Sequence, residues 1–108
     1  MLAAALSVLA PAACAASFDC GKASAADEHA VCDARALNDQ DVRMALLFDL
    51  TQRLVPMGTR DDQKDAQVAF LAARRACGGE RPCIAALYQR RIAELMAIMA
   101  RVESNGPF

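Results

Sequence analysis

The chain has 108 residues, with 12 Lys/Arg against 13 Asp/Glu, one His, five cysteines and a hydrophobic fraction of 56%. That length allows one domain, and a net charge of −1 argues against nucleic-acid binding, which needs a concentrated basic surface. With four Phe, one Tyr and no Trp, the core must be mostly aliphatic.

Residues 1–16, MLAAALSVLAPAACAA, carry no charge, and eight of the sixteen are Ala. Leu2, Leu6, Val8 and Leu9 supply an apolar run, Pro11 breaks it, and small residues follow. This is the anatomy of a secretory leader, with cleavage expected after Ala15 or Ala16. A transmembrane helix would need about 20 apolar residues without a break, so no stable membrane span is expected. Acylation at Cys14 is disfavoured, because Pro11-Ala12-Ala13 lacks the Leu-like residue a lipobox carries three positions before its cysteine. The chain is therefore expected to be exported, periplasmic or secreted, with residues 17–108 as the mature domain.

In the mature chain, Ser24 with Asp27 three residues on predicts a capped short helix running to Cys32, and Asp33 offers a second cap. From Leu37 the apolar period is helical: Leu37, Met44, Phe48, Thr51 and Val55 fall on one stripe, and Leu47, Leu50 and Leu54 widen it. Pro56-Met57-Gly58 ends that helix. Thr59, followed by Asp62, starts a third, with Ala66, Ala69, Phe70, Ala73 and Cys77 on one face. Gly78-Gly79 stops it. The last helix is expected over residues 84–102, with Ile84, Leu87, Tyr88, Leu95, Ile98, Met99 and Val102 inward. No period-two run of β-branched residues occurs. The expected fold is all-α, a small disulfide-stapled bundle of three to four helices.

Loss of Cys14 with the leader leaves Cys20, Cys32, Cys77 and Cys83. Their spacings fit neither the short knuckles of structural zinc nor the Cys-x-x-Cys of redox catalysis, so no metal and no cofactor are expected. Three pairings are possible from sequence. The local one, Cys20–Cys32 with Cys77–Cys83, is the expected choice, because each would close a loop beside helices where the backbone is free to meet disulfide geometry. Such staples suit a mature domain of 92 residues, too small to bury a large share of its surface, in an oxidising compartment. His29 and Cys32 could pair as base and nucleophile, but a disulfide partner is at hand and no third group orients them. No nucleophile elbow, phosphate loop or two-His metal motif is present, and the chain is not expected to be an enzyme.

Charges inside the apolar stripes are the more telling polar signal. Asp41 lies within the Leu37/Met44/Phe48 stripe and Arg91 within the Tyr88/Leu95/Ile98 stripe, while Arg74 and Gln67 flank Phe70. Asp and Arg are rarely buried unpaired, so an interior ion-pair network of Asp41, Arg74 and Arg91 is expected, joining Asp41 to one guanidinium or the other. Charge is also uneven along the chain: residues 17–65 carry net −4 and residues 66–108 net +3. Asp27, Glu28, Asp33, Asp39, Asp61 and Asp62 form the candidate acidic face for a basic partner, whose docking electrostatics would speed and select.

Four stretches then carry a resemblance: Ser17-Phe18-Asp19-Cys20; Glu28 to Cys32; Gln67-Val-Ala-Phe70-Leu-Ala-Ala-Arg74-Arg-Ala-Cys77; and Cys83-Ile-Ala-Ala-Leu-Tyr88-Gln-Arg-Arg91-Ile. Together they resemble the LprI-type lysozyme-inhibitor family of small, helical, exported bacterial proteins, over nearly all of residues 17–108. The chain departs from that pattern at Phe70, where the family usually has Trp, and at Gln40, where it has an inner Leu. The resemblance implies a binding protein that occludes lysozyme, with no chemistry and no inhibitory loop that transfers residue by residue. The alternative is a non-inhibitory structural or accessory envelope module that binds another protein or a peptidoglycan fragment.

Overall fold

A computed structural model describes residues 16–105, so all but the last residue of the expected leader lies outside the described residues. A 3-10 turn, Cys20–Lys22, precedes four helices: α1 (Ala26–Asp33), α2 (Arg35–Leu54), α3 (Met57–Ala76) and α4 (Arg81–Ser104). No strand occurs among the described residues, and the fold is all-α. No helix among them is long and apolar enough to cross a membrane.

α2 and α4 form the main pair, with α1 against α2 and α3 against α4. The α2 stripe buries Leu37, Met44, Thr51 and Val55. From α4 come Ile84, Tyr88, Ile92, Leu95 and Ile98, at the three- and four-residue steps of an inward face. Phe70 meets the Tyr88 ring edge-on at 5.1 Å, an arrangement that aromatic quadrupoles favour. Leu95 is wholly enclosed, so truncating it to Ala would cost about 2–5 kcal/mol. Thr51, also enclosed, satisfies its hydroxyl by donating to the Phe48 carbonyl at 2.8 Å.

Both disulfides are local. Cys20–Cys32 ties the segment before α1 to the end of α1, and Cys77–Cys83 spans the α3–α4 corner, with Cα separations of 5.8 and 5.7 Å. At that corner Gly78 has φ +59°, the left-handed conformation that closes a helix and disfavours a side chain. The turn is short because the staple and the glycine both hold it.

All four helix starts differ from the sequence rules; α4 opens at Arg81, three residues ahead of the expected 84, with Pro82 in its first turn, where a missing N–H costs no helical bond. α1 begins one residue later than Ser24 with Asp27 predicts. Ala25 is its N-cap, and the Glu28 carboxylate accepts the Ala25 and Ser24 amides at 3.0 and 3.4 Å. Asp27 is drawn inward instead. Asp33 caps nothing; Ala34 takes that place at the start of α2 without a side-chain bond. α3 starts at Met57, ahead of Thr59, because Pro56 with its extended backbone serves as N-cap and its carbonyl accepts the Arg60 amide at 2.9 Å. Gln52 donating to the Arg60 carbonyl at 3.3 Å and Arg60 donating to the Val55 carbonyl at 3.4 Å brace this corner.

Candidate functional site

The polar interior consists of two clusters. In the first, Arg74 of α3 reaches between α1, α2 and α4. Its Nε donates to Asp27 Oδ2 at 2.7 Å and its Nη1 to the Tyr88 hydroxyl at 2.9 Å, and Nη1 stands 3.7 Å from Asp41 Oδ1. The Tyr88 hydroxyl donates onward to Asp41 Oδ1 at 2.7 Å. Asp41 is 0% exposed, Asp27 2% and Arg74 6%. Burial first, then the Asp41 charge, pushes the Tyr88 phenol well above its ordinary range. Burial works against the Arg74 charge, yet the Asp27 hydrogen bond and the Tyr88 contacts outweigh it and raise its pKa.

The arm before α1 covers this cluster. The Ser17 amide nitrogen lies 2.5 Å from Asp41 Oδ2, and the Phe18 ring sits under the Arg74 guanidinium, 5.3 Å from ring centre to Cζ. Cys20, stapled to Cys32, anchors the arm at its far end. Between the arm, α2 and α3 runs a groove of about 330 Å³ lined by Phe18, Met44, Phe48, Gln67, Leu71 and Arg74, among others.

The second cluster surrounds Arg91, which is 3% exposed. It donates to Gln67 Oε1 at 3.1 Å, to Gln63 Oε1 at 3.0 Å and carbonyl at 3.4 Å, and to the half-exposed Glu94 carboxylate at 3.3 Å. The expected single network of Asp41, Arg74 and Arg91 therefore divides. Asp41 meets Arg74, and Arg91 is held by amides on α3 because its position on α4 turns it towards Gln63 and Gln67. Asp27 and Tyr88 are the members that sequence reasoning missed. Tyr88 carried a signal, since a tyrosine on a buried stripe needs a partner for its hydroxyl. Asp27 carried only a misleading one, its fit to a capping box.

The expected acidic face also divides. Asp27 is buried and Glu28 is half-buried, occupied with the α1 amides. Those amides, Ala25 first and then Ser24, hold its carboxyl below the usual range. Asp33, Asp39, Asp61 and Asp62 are exposed. Asp33 and Asp39 flank the start of α2, whereas Asp61 and Asp62 follow its end; the helix between them rises about 22 Å from Asp39 to Leu54. His29 is exposed and Cys32 is in a disulfide, so the two form no base–nucleophile pair. No group of three or more His, Cys, Asp or Glu arranged to hold a metal occurs among the described residues.

Comparison of the chain with protein-family models, with curated proteins and with solved structures returned no match.

Proposed function

We propose that the chain is an exported binding protein that inhibits a basic lysozyme by occluding it. The observation that carries the export half is the pair of disulfides closing a small helical domain, an economy typical of oxidising compartments. Support for lysozyme is the resemblance over the stretches 17–20, 28–32, 67–77 and 83–92. The acidic residues available to a basic partner are the exposed ones, with Asp61 and Asp62 at the α2–α3 corner beside the protruding Met57. An exposed apolar side chain one helical turn before an exposed acid suits a docking contact with a cationic enzyme. The test is turnover of several lysozyme types with the mature protein at micromolar excess. Inhibition that weakens with added salt and with Asp61→Asn/Asp62→Asn supports the reading, and unchanged turnover of every type rejects it.

A second reading, the non-inhibitory envelope module, is favoured by apolar residues left outside the core. Val42 and Leu46 stand one turn apart on α2, and Val68 and Leu71 stand exposed on α3. A pull-down from envelope extract that returns a bacterial protein, with lysozyme absent, selects this reading.

A further inference from the structure

We propose that the Ser17 nitrogen is the mature amino terminus: leader cleavage after Ala16 turns it into an α-ammonium that supplies the missing positive charge of the buried Asp27–Arg74–Asp41 cluster. The proposal rests on the export reading and adds to it a cleavage position and a structural role for the new terminus.

Charge balance drives the inference. Two buried carboxylates, Asp27 and Asp41, share one guanidinium, that of Arg74, and no other side-chain cation among the described residues lies within ion-pair distance of either. Arg91 is engaged elsewhere. Residues 1–15 and 106–108 contain no Lys, Arg or His, so they have no cationic side chain to offer. A buried carboxylate without a compensating charge is costly. Besides Arg74 and the Tyr88 hydroxyl on Oδ1, the group that reaches Asp41 is the Ser17 nitrogen, the one partner of Oδ2 among the described residues. Phe18 against Arg74 and the Cys20–Cys32 staple hold it there.

The chemistry is a peptide hydrolysis by a leader peptidase. One water is consumed, the Ala16 carboxylate departs with the leader, and Ser17 keeps the nitrogen, which takes up a proton. Cys14 and Ala16 give the small residues that such cleavage requires three and one positions before the bond. In the precursor the same nitrogen is a neutral amide, so the cluster stays one charge short until the leader is removed. Processing and tightening of the fold are thereby coupled.

The test begins with the full-length chain expressed with its leader in a bacterium, followed by intact mass and amino-terminal sequencing of the envelope fraction. A Ser17 start is expected. A start at Ala16, which places the ammonium about 3.8 Å farther along the chain, or at any other residue, overturns this proposal and leaves export standing. A retained leader overturns both. The second measurement compares the processed protein with one carrying a Gly-Gly insertion between Ala16 and Ser17, its new terminus verified by mass. The insertion should lower the thermal midpoint by roughly 5 °C at neutral pH, the shift expected from one lost interaction in a domain this size. The same insertion should cause no loss in an Asp41→Asn background.

The pH dependence supplies a check that does not need the Asn variant to fold. An α-ammonium stabilised by Asp41 contributes fully below the unfolded value, about 8, and loses its contribution as pH rises through the higher folded value. The gap between the two proteins should therefore close at alkaline pH. Asp27, Glu28, Arg74 and Tyr88 face the same site from α1, α3 and α4 and are common to both proteins, so they cancel in the difference. Equal midpoints at neutral pH overturn the proposal.

Discussion

Arg74 and Arg91 are equally hidden, at 6% and 3% exposure, yet they sit in opposite kinds of surroundings. Arg74 meets two enclosed carboxylates and a tyrosine hydroxyl. Arg91 meets two glutamines and one carboxylate that is itself half in water. The depth of an arginine therefore says little about its energetic weight. The charge of its partners, and whether they have water to fall back on, decides it.

Arg74→Met should break this comparison most sharply. It leaves Asp27 buried without a cation and Asp41 with only the Ser17 nitrogen, and a loss of about 3–5 kcal/mol is expected in denaturant unfolding. Removing the Cys20–Cys32 bridge by Cys20→Ala/Cys32→Ala should cost about 3 kcal/mol for a loop of this length. Because that bridge anchors the arm over the Arg74 cluster and not the Arg91 cluster, the arm should lose amide-exchange protection, while α4 around Arg91 keeps its own.

Tyr88→Phe removes one hydroxyl from between Arg74 and Asp41 and should cost about 2 kcal/mol. Its wild-type signature is optical, since Tyr88 is the chain's single tyrosine and there is no tryptophan. Its phenol is raised in the folded state, so the stabilisation that depends on a neutral phenol is fully present below about pH 10, the unfolded value, and is lost as pH rises beyond it. Phenolate absorbance should thus appear only as the protein unfolds in alkali, and the Phe variant should lack this alkaline limb of instability. A phenol that titrates near pH 10 in the folded protein would contradict the buried cluster. Arg91→Met should have the smallest effect, about 1 kcal/mol, because the Gln63 and Gln67 amides and Glu94 can turn to water. A loss equal to that of Arg74→Met would erase the distinction between the clusters.

The helices were legible because their causes are local. The stripes Leu37/Met44/Thr51/Val55 and Ile84/Tyr88/Leu95/Ile98 come from spacing alone, and the α3 stop comes from Gly78. The local disulfide pairing was a reasonable expectation for the same reason, since each bridge closes a short loop. The capping of α1 was misread because one residue was eligible for two roles. Asp27 suits a cap by position, and Arg74, 47 residues away, claims it.

What the sequence determined by itself, then, is an all-α domain with its buried stripes and the presence of charges within them. Tertiary structure alone decided which charges meet. Side-chain period fixes the direction a residue faces on its own helix, but a partner on another helix depends on how the helices cross and on the corners between them. That is why Asp41 and Arg91 were both visible as buried charges, and why only the assembled fold separates them, giving Asp41 to Arg74, Tyr88 and the Ser17 nitrogen and Arg91 to two glutamines.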